Sequence, residues 1–442
     1  MDLNHSVVKI NVQILKQDVN MPWKIIDISS ATGTGFFIDK KGYILTCYHV
    51  VSNSDPKYIT INIPANGNQY YKAVPIKFFP NEDIALLKTE FKPKKFLRLG
   101  NSSSIKRGQI AEAIGFPLGS TLKSLKITKG VISGRNGMNF QIDTPINPGN
   151  SGGPLIVKGK VIGINKSIIK YSSNIGFSTM INKWHQLKKE SLKTKDLLFY
   201  SPQLYIHYNE MNLEYIQYKK LKGGILIRNI FSELQFNGEK LKKDDIVYEI
   251  NKFPINFKGD MGKDVFGEKY DIYDFFASLP ISKEYEVKFL RKNAHLKTKI
   301  ITKPNITLPI NSYNYPYENV DYLIIGGLVI IPLTRNYILE NLKMKDLTEN
   351  LTYPYAFEKK YVLSKILPGT NISLMENLEE GDIITKINDE ELKNLNIDIH
   401  EKLKSKFIKI ESHDNVDFLP SSIIKNEINN VKRIYQLNYG KN

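Results

Sequence analysis

A chain of 442 residues with 41% hydrophobic content has room for about three domains with ordinary cores, which excludes a disordered or fibrous protein. Its formal net charge of +17 is unevenly placed, because residues 1–195 hold 28 lysines and arginines against 11 acids while residues 196–442 hold 34 of each. Such a field would steer acidic proteins, nucleic acid or an anionic surface to the amino-terminal half. No nucleic-acid motif accompanies it, and a Lys-, Asn- and Ile-rich coding bias accounts for it, so nucleic acid is not expected as a partner. The single cysteine, Cys47, rules out an internal disulfide and suits a reducing compartment. Residues 1–6 lack the basic-then-apolar pattern of a signal peptide, so a cytoplasmic or nuclear location is expected.

In chain order, residues 7–180 read as short strands punctuated by Gly, Pro and Asn turns, the texture of an all-β double barrel. Gly33 to Val51 holds two apolar runs split by Asp39-Lys40-Lys41-Gly42, a hairpin that ends at His49. Asp83 stands at the mouth of the apolar strand Ile84–Leu87, where a carboxylate can reach an imidazole while shielded from water. Asn147 to Leu155 reads Asn-Pro-Gly-Asn-Ser-Gly-Gly-Pro-Leu and sets Ser151 in a glycine-rich turn whose N–H groups can converge on an oxyanion. Any surface turn uses the same residue types. A serine hydroxyl needs an oriented base to become nucleophilic, and the order His49, Asp83, Ser151 is the chymotrypsin-like order. Cys47 alternates along an apolar strand and reads as a buried filler.

Met180 to Lys195 predicts an amphipathic helix, followed by a linker near Ser201-Pro202. Beyond it the texture changes. Gly223–Ile230 and Leu241–Asn251 form a loop, strand and Leu-x-x-Asp-Asp-Ile succession, and Tyr361–Ile366 with Leu378–Asn388 form a second copy. Between them Tyr322 to Pro332, about 11 residues and too short to span a bilayer, reads as a buried strand pair around Gly326-Gly327. No Cys/His cluster marks a metal site, no phosphate-binding loop is present, and no cofactor is expected.

Gly33–Ile38, Thr46–Val51, Asp83–Leu87 and Asn147–Leu155 together resemble the signatures of the HtrA/Deg serine proteases, and Asn174–Phe177 is similar to the last motif of their protease domain. The resemblance implies a mainly β chain: a chymotrypsin-like double β-barrel over 1–195, then PDZ-like α+β domains over 202–305 and 310–442, closest to the plant-type subgroup. It implies His49 as general base, Asp83 as its partner, Ser151 as nucleophile, the N–H groups of Gly149 and Ser151 as oxyanion hole, and Asn150 shaping that loop. Cys47 and Tyr48 depart from the small or polar residues usual before the base. The primary pocket has Pro145 where trypsin-type enzymes carry an acid, and Ile146 as a lining residue for small aliphatic side chains; Asp143 lies nearby, and Lys166 is read as a surface residue.

PDZ domains capture peptides by adding a strand to a sheet edge, with loop N–H groups on the terminal carboxylate, which points to Gly223, Gly224 and Ile225; a tight turn before a core strand reads the same way. Lys243-Asp244 stands in for the customary Gly-Asp start in the first copy. The segment 134–139 occupies the place of the activation loop, with Arg135 as a possible relay. The expected function is an ATP-independent serine endopeptidase for unfolded or damaged proteins, assembled as a homo-oligomer of trimers or hexamers. The alternative is a latent peptide-binding scaffold or holdase.

Overall fold

The computed structural model describes residues 2–117, 124–168, 175–202, 204, 206–230, 235–263, 266–304, 310–343, 347–352, 355–371 and 377–435. It divides into two compact units, Met1–Ile14 with Ser30–Ile306, and Leu15–Ser29 with Thr307–Asn442. The segment 15–29 belongs to the carboxy-terminal unit rather than to its sequence neighbours.

In the first unit α1 (Leu3–Ser6) leads into β1 (Val7–Gln17), β2 (Ile25–Phe37), β3 (Tyr43–Thr46), the one-turn α2 (Tyr48–Val51), β4 (Thr60–Asn62), β5 (Tyr70–Phe79) and β6 (Ile84–Thr89). These strands close into a barrel in the order β1-β2-β3-β6-β5-β4. The predicted hairpin is present: Asp39 Oδ1 accepts from the N–H groups of Lys41 and Tyr43, and Gly42 turns with φ +87. His49 sits one step beyond it, on α2 and not on the strand. Phe36, Phe37, Ile44, Leu45, Phe78 and Leu86 are buried, on alternating faces of these strands.

A second barrel follows from β7 (Ile110–Gly115), β8 (Lys126–Asn136), β9 (Asn139–Ile142), β10 (Pro154–Val157), β11 (Lys160–Ile168) and β12 (Gly176–Met180), closed in the order β10-β11-β12-β9-β8-β7. Ala113, Ile132, Phe140, Ile142, Leu155 and Ile162 make its core. The architecture is the chymotrypsin-like double barrel. Helix α3 (Ile181–Ser191) is shorter than the predicted segment and buries Ile181, Trp184 and Leu187. Thr194 ends its last turn through a bond to Ser191 O.

Still in this unit come β13 (Ile206–Asn209), α4 (Leu213–Tyr218), β14 (Ile225–Ile230), β15 (Gln235–Gly238), β16 (Ile246–Ile250), β17 (Phe253–Pro254), β18 (Asp260–Met261), β19 (Tyr270–Asp271), α5 (Ile272–Ser278), β20 (Glu284–Arg291) and β21 (Ala294–Ile301). They build a sheet ordered β13-β14-β16-β20-β21-β15, with β17 on β16 and β18 paired to β19.

The second unit holds β22 (Leu323–Ile325), β23 (Leu328–Pro332), α6 (Arg335–Glu340), β24 (Tyr361–Ile366), β25 (Ile383–Ile387), β26 (Glu390–Glu391), α7 (Ile399–Lys402), β27 (Phe407–Ser412), β28 (Val416–Pro420) and α8 (Ser421–Tyr435). Its sheet runs β22-β23-β24-β25-β27-β28, with β26 on β25. The apolar run near Gly326-Gly327 is the predicted buried strand pair, β22 and β23. Residues 15–29 complete this unit: Val19, Met21 and Trp23 lie against Val329, Ile331 and Val362, the Trp23 and Tyr322 rings are 4.9 Å apart, and the Ser364 hydroxyl donates to Asn20 O at 2.8 Å.

The two sheets share one local design. Ile227 N–H donates to Asp245 O and Asp244 N–H returns to Ile227 O; Leu363 and Asp382 with Gly381 do the same at the same distances, 2.9 and 2.8 Å. The residue matching Gly381 (φ +98) is thus Asp244 (φ +69), and the start of the first copy is Asp244-Asp245 instead of Lys243-Asp244. Aspartate tolerates the left-handed region better than most side chains, which lets the turn survive without glycine.

Candidate active site

Ser151 lies in a turn tied down on every side. Asn150 N–H donates to Asn147 O, Gly153 N–H to Asn150 O, and Gly152 N–H to Asn165 O at 2.7 Å. Gly149 and Gly152 take φ +99 and +85, and a Cβ on Gly152 would stand 2.1 Å from Thr34 O and Thr46 Oγ1. Only glycine fits there. The first barrel supplies the outer clamp. Thr34 N–H donates to Ser151 O at 2.9 Å, the Thr34 hydroxyl donates to Gly149 O at 2.6 Å and accepts from Phe116 N–H, and the Thr46 hydroxyl donates to Thr34 O. The carbonyls of Gly149 and Ser151 are engaged in this way, which fixes the peptide groups that flank the turn. The Ser151 hydroxyl donates to Lys166 O at 2.5 Å.

His49 is placed by α2 and held twice by one carboxylate. Asp83 Oδ1 accepts from His49 N–H at 2.9 Å, and Asp83 Oδ2 lies 2.8 Å from His49 Nδ1. A carboxylate only accepts, so the ring turns its Nδ1–H toward Asp83 and keeps Nε2 as the acceptor. Asp83 takes a left-handed conformation, φ +57, at the end of the turn Pro80–Glu82. Cys47 is fully buried beside this pair; its Sγ, a His49 ring nitrogen and an Asp83 oxygen lie within 4.8 Å of one another, a Cys/His/Asp cluster with no local signature in the sequence. The thiol donates to Asn165 O, and burial followed by the Asp83 charge pushes its pKa well up, so it sits as a neutral packing group.

Residues 33–164 match the family model of the trypsin-like peptidase domain. The chain is 29% identical over 426 residues to an Arabidopsis thaliana protein named protease Do-like 3, mitochondrial, across 88% of this chain and 70% of that protein. It is 33% identical over 238 residues to a DegP-like periplasmic serine endoprotease of Chlamydia pneumoniae, across 50% of this chain and 46% of that protein. Among solved structures its fold is similar to that of the HtrA-type protease AlgW with decapeptide, with TM-score 0.51 and 21% identity over 69% of this chain and 97% of that one. The chain belongs to the HtrA/Deg serine proteases.

Within this HtrA/Deg chain the remaining candidates sort by position. Tyr48 points away from the site and packs in the first barrel, its ring 5.3 Å from Phe78. Asp143 accepts from Val131 N–H at 2.6 Å, so its charge serves β8 rather than a pocket floor. Ile146 is buried in the second-barrel core, close enough to Gly176 that a Cβ there would meet it at 2.9 Å. Asn150 is buried. At Lys166 the backbone carbonyl, which holds the Ser151 hydroxyl, is the group that matters. Asn174 lies outside the described residues, while Gly176 and Phe177 begin β12. Thr34 and Thr46 belong to the Gly33–Ile38 and Thr46–Val51 segments, and the glycines on both sides of Thr34 are the sequence signal of this close backbone approach.

Arg135 reaches the segment that carries β19 and α5. Its Nη2 donates to Lys269 O at 2.9 Å, its Nη1 lies 3.4 Å from Asp274 Oδ2, and its guanidinium sits 4.4 Å from the Tyr270 ring centroid. Burial raises the Asp274 carboxyl pKa against the opposing pull of Arg135. Gly223, Gly224 and Ile225 do not lie on an open edge. Strand β14 pairs with β13 on one side and β16 on the other, and a Cβ on Gly223 would stand 2.2 Å from Ile255 O. The strand that ends this sheet is β13, and there Tyr273 of α5 donates its hydroxyl to Ile206 O at 3.0 Å. Among the described residues no helix is long and apolar enough to cross a membrane.

Proposed function

We propose that His49, Asp83 and Ser151 hydrolyse peptide bonds by acyl transfer. Ser151 Oγ attacks the scissile carbonyl while His49 Nε2 takes its proton, and Asp83 keeps the ring in the required tautomer and stabilises the imidazolium. The oxyanion is received by the N–H groups of Gly149 and Ser151, in a loop shaped by Asn150. His49 returns the proton to the leaving amine, and water, activated by the same imidazole, releases the acyl group from Ser151. The observation that carries this reading is the double grip of Asp83 on His49, within a chain whose Ser151 turn is clamped by Thr34. Ile146, the absence of an acid at 145 and the engagement of Asp143 support cleavage after small aliphatic side chains.

The division into a protease domain over 1–195 and PDZ-like domains over 202–305 and 310–442 is supported by the repeated strand design of the two sheets. Peptide capture in the first belongs at the outer side of β13 beside α5. Unfolded or damaged proteins are the proposed substrates, without ATP, and a trimer or hexamer is the proposed assembly. The lone buried Cys47 supports a cytoplasmic or nuclear location; relatives carry mitochondrial and periplasmic names, and cell fractionation decides.

A second reading rests on the Ser151 hydroxyl, whose one hydrogen goes to Lys166 O. In that state the chain is a latent scaffold or holdase. Labelling with a fluorophosphonate probe separates the two: labelling of the native protein that disappears in Ser151→Ala and His49→Ala supports the protease. No labelling even with unfolded protein added, together with suppression of aggregation that survives Ser151→Ala, supports the scaffold.

A further inference from the structure

Glu82, next to Asp83, is a buried acid outside the triad, and Lys183 of α3 is buried beside it; their side chains are 7% and 3% exposed and Nζ lies 3.5 Å from Oε1. Removing two charges from water costs several kcal/mol per ion unless geometry and further hydrogen bonds offset it, so such a pair is weak as a stabilising device. Glu82 is held by the Ser201 hydroxyl on Oε1 and by the Thr179 hydroxyl, 3.2 Å from its carbonyl, while its Oε2 is buried with no hydrogen-bond partner. Lys183 spends its other contact on α5: Nζ donates to Ala277 O at 2.7 Å, and the neighbouring Gln186 donates to Ser278 O at 2.8 Å.

These are the carbonyls that a helix leaves without internal partners at its carboxy-terminal end, where a cation is favoured. The other end of α5 is joined to β13, by the Tyr273 hydroxyl on Ile206 O and by the Tyr208 and Tyr273 rings 5.5 Å apart. A continuous line of contacts therefore runs from β13 through α5, Lys183 and Glu82 to Asp83 and His49.

We propose that Lys183 and Glu82 are positioning residues that couple the carboxy-terminal end of α5 to Asp83. The inference rests on the catalytic reading of Asp83 above. A displacement of α5, such as an extended peptide adding at β13 would require, withdraws the Ala277 carbonyl from Lys183, changes how Lys183 compensates Glu82, and so changes the field and the backbone at Asp83. Arg135 makes a second contact to α5, through Asp274, which the variants below leave in place.

The test follows the His49 ring by NMR in the full chain labelled with ¹⁵N-histidine, comparing native protein, Lys183→Met, Glu82→Gln and the double variant. Lys183→Met leaves a carboxylate uncompensated beside Asp83 and raises the His49 pKa; Glu82→Gln leaves an ammonium and lowers it, each by on the order of half a pH unit. The double variant, neutral at both positions, returns toward the native value and serves where a single variant does not fold. The acid limb of kcat moves with the ring, and Lys183→Arg restores it. A His49 titration unmoved in every folded variant, with Ser151-dependent probe labelling intact, overturns the coupling alone. Absence of labelling in the native protein removes the catalytic reading and the coupling with it.

Discussion

The two barrels contribute to the site in different states of readiness. In the first, Asp83 and His49 are aligned through two bonds of 2.8 and 2.9 Å, set by a short turn and a one-turn helix that the barrel brings together. In the second, the Ser151 turn is pinned by Thr34 while the hydroxyl itself faces Lys166 O. On the proposed roles, the base is held ready by the fold, whereas the nucleophile has its hydroxyl engaged by Lys166 O. Control exerted on such a site is most economical where the loops of that barrel meet other parts of the unit, as at Arg135.

The largest effect expected from breaking this contrast is at Asp83. Asp83→Asn keeps the shape but reverses the favoured tautomer, and kcat should fall by roughly 10⁴ with little change in melting temperature; a loss under tenfold would mean the first barrel is not the prepared half. Next is Thr34→Val, which leaves Gly149 O and Phe116 N–H without their partner. Each orphaned buried group costs about 1–3 kcal/mol, so both the melting temperature and the probe-labelling rate should drop, the rate by roughly 10- to 100-fold. Unchanged labelling would show that the nucleophile turn holds without the first barrel. Smallest is Arg135→Ala, expected to lower kcat/KM on an unfolded substrate only several-fold, about 1 kcal/mol in the transition state, because its partner carboxylate is partly exposed. Identical kinetics with and without added carboxy-terminal peptides would remove Arg135 from any relay.

Much of the fold was legible because its signals are local. The hairpin at Asp39–Gly42, the apolar strand after Asp83 and the glycine-rich turn at Ser151 each declare themselves within a few residues, through turn chemistry and side-chain alternation. What escaped depends on partners distant in sequence. Thr34 resembles any strand threonine until its hydroxyl is seen bridging Gly149 and Phe116, about 115 and 82 residues away. Gly223 and Gly224 look like a ligand loop in one dimension, yet the strand that follows them, β14, is flanked by β13 and β16. Asp244 was misaligned by one because glycine was expected at a left-handed position that aspartate also occupies.

The segment 15–29 has a further consequence for how the protein is made. The Ser364–Asn20 bond spans 344 residues and the Tyr313–Gln17 bond 296. At translation rates of about 5–20 residues per second, the segment 15–29 waits roughly 15 to 70 seconds for these partners to leave the ribosome. During that interval Val19, Met21 and Trp23 have no sheet to cover them, so the nascent chain presents an apolar tip for chaperones to occupy. Maturation of the carboxy-terminal unit then closes a loop of 344 residues, and it cannot precede the emergence of the segment around Ser364.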